Sequence, residues 1–358
     1  MIRGHGGNIN DLARNIGCSP ADIIDMSSNT NPLGPAPGLI EYLRENLEKV
    51  FAFPEVDSKK LIEAFSNYHK IREDRVLAGN GTTQFIFTLP LSLGTKKAFI
   101  LGPTYADYGD VCQMYKIDCE YVMAKEANLF QPDIMDIRAY LADIDTVFIC
   151  NPNNPTGNLI ARRDLIKLCE AYPGIRFLID ESYLPFTDRY DETTVIQTDL
   201  SNVMVLHSFS KIFQTPGLRL GFLIASPKIV KQFICFYQPW CVNSLAQIAG
   251  HYLLDHVLGD DTFLNETQAF VTKEKHLLAE RLKNTKALKL FPSMASFVLI
   301  KIKERFNAKQ LCSIMANNRV LLRDCSNFKG LSDRFVRITL RSPEINAMVA
   351  DKLREIFA

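Results

Sequence analysis

Between about residues 75 and 225, short apolar runs alternate with amphipathic stretches, and this alternation limits the possible folds more than any other feature. The runs occupy 75–78, 98–101, 119–123, 146–150, 176–179, 203–207 and 218–225. Helical stretches separate most of them, as where Leu165, Leu168, Cys169 and Tyr172 share one face. Such a pattern specifies an α/β domain, here with a seven-stranded, mostly parallel sheet. Ligands of such sheets bind beyond the carboxyl ends of the strands, so the residues after each run carry the functional information.

Those residues are small, polar or aromatic in turn. The first run leads into Gly79-Asn80-Gly81-Thr82-Thr83, a loop opening a helix whose free amides suit an anion. Pro103-Thr104-Tyr105 offers an aromatic face, and Asn151-Pro152-Asn153-Asn154-Pro155-Thr156-Gly157 is a proline-locked turn that aims an asparagine amide. Asp180-Glu181-Ser182-Tyr183 follows the fifth run, and Ser208, Ser210 and Lys211 follow the sixth. Burying a lysine is costly unless its amine acts. With Arg219 eight residues on, two hydroxyls and a guanidinium make a phosphate site beside an amine that can condense with an aldehyde. That combination is what pyridoxal 5′-phosphate requires.

The chain has room for a large core and two domains: 358 residues, 47% of them hydrophobic and 23% charged. A formal net charge of +1 with interspersed signs argues against nucleic acid or an acidic membrane surface as partner and leaves a small molecule. Nine cysteines without a C-x-x-C pair read as thiols of a reducing compartment, with no metal expected. The opening residues lack an apolar signal core and no apolar run reaches spanning length, so a cytoplasmic protein is expected. Three regions are expected: an amino-terminal segment 1–34 that contributes to the site and the small domain, a large domain 35–245, and a smaller α+β domain 246–358 with strands near 295–302, 319–322 and 335–340. The first region holds two turn-rich clusters, His5-Gly6-Gly7-Asn8 and Ser27 to Gly34, around a short helix at 10–16 closed by Gly17. Amphipathic helices are expected at 39–50 and 58–70.

The ordered set G-N-G-T, P-T-Y, N-P-N-N-P-T-G, D-E-x-Y, S-x-S-K and R-L-G resembles the fold-type-I pyridoxal-phosphate enzymes, in the branch that holds histidinol-phosphate aminotransferases and L-threonine-O-3-phosphate decarboxylases. The resemblance runs over essentially the whole chain. It implies that Lys211 bonds the cofactor, that Asp180 pairs with its ring nitrogen, that Asn154 and Tyr183 bond its phenolic oxygen and that Tyr105 stacks on the ring. Ser208, Ser210, Arg219 and the Gly81-Thr82 amides would hold its phosphate. Arg337 matches the arginine that clamps a substrate α-carboxylate, and Arg323 a position associated with a distal phosphate. A phosphate needs several charge-assisted donors, which places the substrate phosphate between His5, Asn8, Asn31 and Arg323.

Within that branch, H-G-G-N, S-S-N-T-N-P-L-G, Q-P-W-C-V-N and L-L-R-D-C-S-N-F-K-G-L look more like the threonine-phosphate decarboxylases of cobamide biosynthesis. The resemblance then implies decarboxylation of threonine or serine phosphate by a homodimer in which loops like 51–57 reach the neighbouring site. The alternatives are an aminotransferase acting on histidinol phosphate or an aromatic amino acid, and a non-catalytic cofactor-binding module, which Lys211, Asp180 and Arg337 together disfavour. Two positions depart from the family pattern: Phe53 where tyrosine is usual, and Ser296 where asparagine is frequent.

Overall fold

A computed structural model describes residues 6–358. Its strands, in chain order, are β1 (Ile24–Asp25), β2 (Val76–Asn80), β3 (Lys97–Gly102), β4 (Asp118–Met123), β5 (Thr146–Cys150), β6 (Arg176–Asp180), β7 (Val203–Ser208), β8 (Leu220–Ile224), β9 (Leu288–Leu290), β10 (Phe297–Ile302), β11 (Val320–Leu321), β12 (Arg323–Asp324) and β13 (Phe335–Thr339). Seven form one sheet in the order β2-β8-β7-β6-β5-β3-β4. Only β8 runs against its neighbours. Every residue of β5, β7 and β8 is buried, because helices cover both faces of a parallel sheet and leave no side for polar residues. On one face the helix α3 (Lys59–His69) sets Phe65 flat against Phe222 of β8, with ring centres 3.9 Å apart.

The carboxyl-terminal part builds a four-stranded antiparallel sheet, β12-β13-β10-β9. The helices Thr262–Leu282 and Pro343–Phe357 pack together, and Asn346 Nδ2 donates to the buried Glu274 carboxylate at 2.8 Å. The helix Ser244–Tyr252 instead sits on the large sheet, where Gly250 lies so close to Leu61 and Leu220 that a Cβ would not fit. No helix among the described residues is long and apolar enough to cross a membrane.

The amino-terminal segment threads between the two sheets. Helix α1 (Ile9–Ile16) ends at Gly17 with φ +69°, as its sequence implies. Beyond it, β1 pairs in parallel with β11, Met26 N–H donates to the Leu321 carbonyl at 3.0 Å, and Thr339 N–H donates to the Met26 carbonyl at 2.9 Å. One expectation needs correction: 39–50 is not a single helix. Helix α2 (Leu39–Glu45) stops at Asn46, whose side chain bonds back to the Tyr42 carbonyl, and a tighter turn, Leu47–Phe51, follows with Leu47 exposed.

Candidate active site

Strand β7 is buried to its last residue, and the single helical turn after it, Phe209–Ile212, swings Lys211 into a cavity at the carboxyl edge of the sheet. Burial, reinforced by the nearby Arg219 and Arg337 guanidiniums and opposed by Asp180, pushes its ammonium down to about 8. The amine and ammonium forms are therefore both accessible near neutral pH.

Asp180 ends the neighbouring strand β6 and faces the same cavity of about 200 Å³. One of its carboxylate oxygens accepts from the Ser182 backbone N–H at 2.9 Å and from the Ser182 hydroxyl, the other from the Tyr108 hydroxyl at 2.8 Å. Burial raises its pKa while these donors and Lys211 oppose the rise. Tyr108 lies on helix α5 (Asp107–Met114), edge-on to Tyr105, with ring centres 5.8 Å apart. Glu181 points elsewhere: it accepts from Thr194 Oγ1 at 2.6 Å and Val195 N–H at 2.8 Å, and burial holds its carboxyl up at about 7.

The same cavity is lined by Ser208, Ser210, Thr82, Thr83 and Arg219. Helix α4 (Gly81–Ser92) begins here, with Gly81 at φ +69°. A Cβ on Gly81 would collide with the Arg219 guanidinium, and one on Gly221 would lie 2.6 Å from the Thr82 backbone nitrogen. The glycines thus let a helix amino terminus and an arginine close on one point, a cradle for a phosphate dianion. Pyridoxal 5′-phosphate fits this donor set: anion cradle, amine and buried carboxylate line a single cavity.

A second cavity, of about 230 Å³, shares Tyr105, Asn154, Tyr183 and Lys211 with the first and adds Gly6, residues 27–30, Arg323, Phe328 and Arg337. Arg337, on β13, is 4% exposed and donates through Nη1 to Asn154 Oδ1 and through Nη2 to the Ser27 carbonyl at 2.6 Å. Its buried Nε–H has no partner among the described residues, which suits an incoming anion. Because the Asn154 carbonyl is engaged by Arg337, its NH2 is left to donate. The Tyr183 hydroxyl accepts from Asn29 Nδ2 at 3.1 Å. The Arg323 guanidinium is fixed by the Asp324 carbonyl at 2.6 Å, Asn327 Oδ1 at 2.8 Å and the Phe328 ring at 5.0 Å.

The expected cofactor residues are thus brought together around Lys211, whereas the expected phosphate pocket is not assembled as drawn. His5 lies outside the described residues, although Gly6 beside it lines the cavity. Asn8 is exposed and caps α1 by accepting from Asp11 N–H at 3.2 Å. Asn31 is fully buried: its NH2 donates to the Ile212 carbonyl and Thr267 Oγ1, and its Oδ1 accepts from Leu33 N–H. Its side chain is held within the fold and does not line the cavity. Asn29, two residues earlier, is the asparagine that faces the cavity. Tyr108, Ser182, Thr83 and Phe328 also line the two cavities, although the sequence motifs give none of them an individual role. The spacing Tyr105-Ala106-Asp107-Tyr108 carries one usable signal, since two aromatics three apart at a helix start share a face.

A seven-stranded α/β sheet with a lysine, a buried aspartate and an anion cradle at its carboxyl edge defines a pyridoxal-phosphate enzyme of fold type I. The chain belongs to the aminotransferase class I and II family, whose model matches residues 21–353, and pyridoxal 5′-phosphate is its cofactor. It is 31% identical over 357 residues to a threonine-phosphate decarboxylase of Salmonella typhimurium, covering 98% of this chain and 96% of that one. It is 32% identical over 358 residues, 99% of this chain, to the adenosylcobalamin biosynthesis bifunctional protein CobDQ of Leptospira interrogans, of whose length it spans 41%. A histidinol-phosphate aminotransferase of Methanococcus aeolicus is 29% identical, covering 97% of this chain and 93% of that one. Among solved structures, the L-threonine-O-3-phosphate decarboxylase of Porphyromonas gingivalis superposes with a TM-score of 0.84 at 27% identity, covering 92% of this chain and 98% of that one.

Proposed function

We propose that this chain decarboxylates a phosphorylated hydroxyamino acid, L-threonine O-3-phosphate or L-serine O-phosphate, and releases aminopropanol phosphate or ethanolamine phosphate for the cobamide nucleotide loop. The observation that carries this reading is the pair of fixed guanidiniums, Arg337 and Arg323, facing one cavity that also reaches Lys211. The likeness to the named threonine-phosphate decarboxylases supports it.

In this reading Arg337 binds the substrate carboxylate. Its guanidinium is pinned by Asn154 and Ser27, so it holds the bond between Cα and the carboxylate in one orientation. Arg323 binds the phosphate. Asp180 would pair with the ring nitrogen of pyridoxal phosphate and favour its protonated form, and the Asn154 NH2 and the Tyr183 hydroxyl would hold its phenolic oxygen. When bound, pyridoxal phosphate supplies a protonated ring that takes up the electron pair left at Cα as the carboxylate departs as carbon dioxide. Lys211 then delivers a proton to Cα from its ammonium form.

An aminotransferase working on histidinol phosphate is the second reading, favoured by the Methanococcus aeolicus relative. It would use Lys211 to move a proton from Cα, with a different bond aligned for cleavage. The deciding experiment supplies threonine phosphate, serine phosphate and, with a keto-acid acceptor, histidinol phosphate, and follows carbon dioxide and the amino acid formed from the acceptor. Carbon dioxide in step with a phosphorylated amine is the expected result. Amination of the acceptor without carbon dioxide would overturn it. Discrimination between threonine and serine phosphate rests on one methyl group, worth about 1–3 kcal/mol in an apolar pocket.

A further inference from the structure

Strand β4 is one of the two edges of the large sheet, and Tyr121 and Met123 project from the same face of it. Three glycines clear space around these two side chains. A Cβ on Gly102 of β3 would lie 2.6 Å from the Met123 sulfur, one on Gly109 of α5 would run into the Tyr121 hydroxyl, and one on Gly330 would again lie 2.6 Å from the sulfur. Gly330 has φ +94°, a conformation that other residues rarely adopt. Beside it, Lys329 sets its ammonium 3.8 Å from the centre of the Tyr121 ring.

Lys329 and Gly330 lie in the connection from β12 to β13, so this contact joins the small sheet's loop to the large sheet's edge. The connection is a compact piece. Phe328 N–H donates to the Cys325 carbonyl at 3.0 Å, Leu331 N–H donates to the Phe328 carbonyl at 2.9 Å, and the Phe328 ring and Asn327 hold Arg323. Its inner side, Arg323 and Phe328, lines the substrate cavity. Its outer end rests on Tyr121 and Met123.

We propose that Tyr121 and Lys329 are positioning residues: together they clasp the two sheets and fix the wall carrying Arg323 and Phe328, which sets the distance from Lys211 at which a substrate phosphate is held. The ligand in this statement rests on the phosphoamino-acid reading above, whereas the clasp itself can be measured without any substrate. An ammonium over an exposed ring face is worth a factor of about two to five in an equilibrium constant.

The test compares the holoenzyme with Lys329→Met, Tyr121→Leu and the double variant, and with Lys329→Arg and Tyr121→Phe, which keep a cation and a ring. Amide hydrogen exchange over residues 324–331 is expected to quicken by about two- to fivefold in Lys329→Met and in Tyr121→Leu, no further in the double variant, and not at all in the conservative pair. KM for L-threonine O-3-phosphate is expected to rise by the same factor, with kcat and the cofactor absorption spectrum unmoved. Wild-type exchange in both Lys329→Met and Tyr121→Leu overturns the clasp whatever the substrate proves to be. Faster exchange with unchanged KM overturns the positioning role. If no phosphoamino acid is turned over, the functional reading falls, and the exchange rates still decide the clasp.

Discussion

Arg323 and Arg337 are both fixed before a substrate arrives, but by different means, and this makes their roles separable. Arg337 is buried between Asn154, Ser27 and the Phe297 ring, whereas Arg323 is held by its own loop. Arg323→Ala is expected to lower kcat/KM for the phosphorylated substrate by about 2–3 kcal/mol in transition-state terms while the cofactor spectrum stays normal. Plain threonine, a poor substrate from the outset, is expected to change little. Equal losses on both substrates, measured side by side, would assign Arg323 to the fold or the α-carboxylate. Glu181 gives a second test at this scale, on stability. Its folded carboxyl holds a proton up to about pH 7, above the ordinary glutamate range, so between roughly 4.5 and 7 the folded chain binds more protons than the unfolded one. The stability it contributes is complete below that window and is lost as pH rises through it, by up to about 3 kcal/mol. Denaturant titrations of Glu181→Gln are expected to lose that part of the slope, and an unaltered pH profile would place the titration elsewhere.

At the scale of elements, the first turn of α4 meets Arg219 only because positions 81 and 221 lack a Cβ. Gly81→Ala puts a Cβ into the guanidinium at a backbone angle that alanine resists, and is expected to weaken cofactor binding by tenfold or more, read as release of cofactor absorbance on gel filtration. Retention equal to wild type would remove α4 from the cradle. The strands of the large sheet are legible in the sequence to within two residues at every end, because a buried strand reads as an unbroken apolar run. The short strands β1, β9 and β12 are not, since two or three residues paired through their backbones leave no side-chain period. The same limit explains the asparagines. Asn29 and Asn31 are alike in composition and spacing, and a backbone bond from Asn31 N–H to the Lys211 carbonyl, 180 residues away in sequence, goes with one facing the cavity and the other the core. The role of Tyr108 is not legible in the sequence because its partner, Asp180, ends β6, two strands in the sheet from β3, which α5 follows.

For the whole molecule, the exposed rings of Phe51 and Phe53, at 91% and 85%, form an apolar strip with Val50 and Trp240, whose ring centre lies 5.2 Å from that of Phe53. The homodimer implied by the family resemblance is proposed to close over this strip, with Phe53 contributing packing and no hydrogen bond. Sedimentation is expected to show a dimer that Phe51→Asp with Phe53→Asp splits, and a fully active monomer would count decisively against it. The two sheets also differ in when they can take part in the site. Residues 24–28 are held by residues 320–341, through β11, the Thr339 N–H, Arg337 on the Ser27 carbonyl and Arg341 on the Ser28 carbonyl. Roughly 290 residues separate the two groups, so at ordinary elongation rates the earlier one waits on the ribosome for about 15–60 s before its partners exist. A nascent chain that has just finished β8 already carries the phosphate cradle, Lys211 and Asp180, yet lacks β11, Arg337, Thr339 and Arg341, which hold residues 24–28. Synthesis therefore delivers a place for the cofactor well before it delivers a place for the substrate.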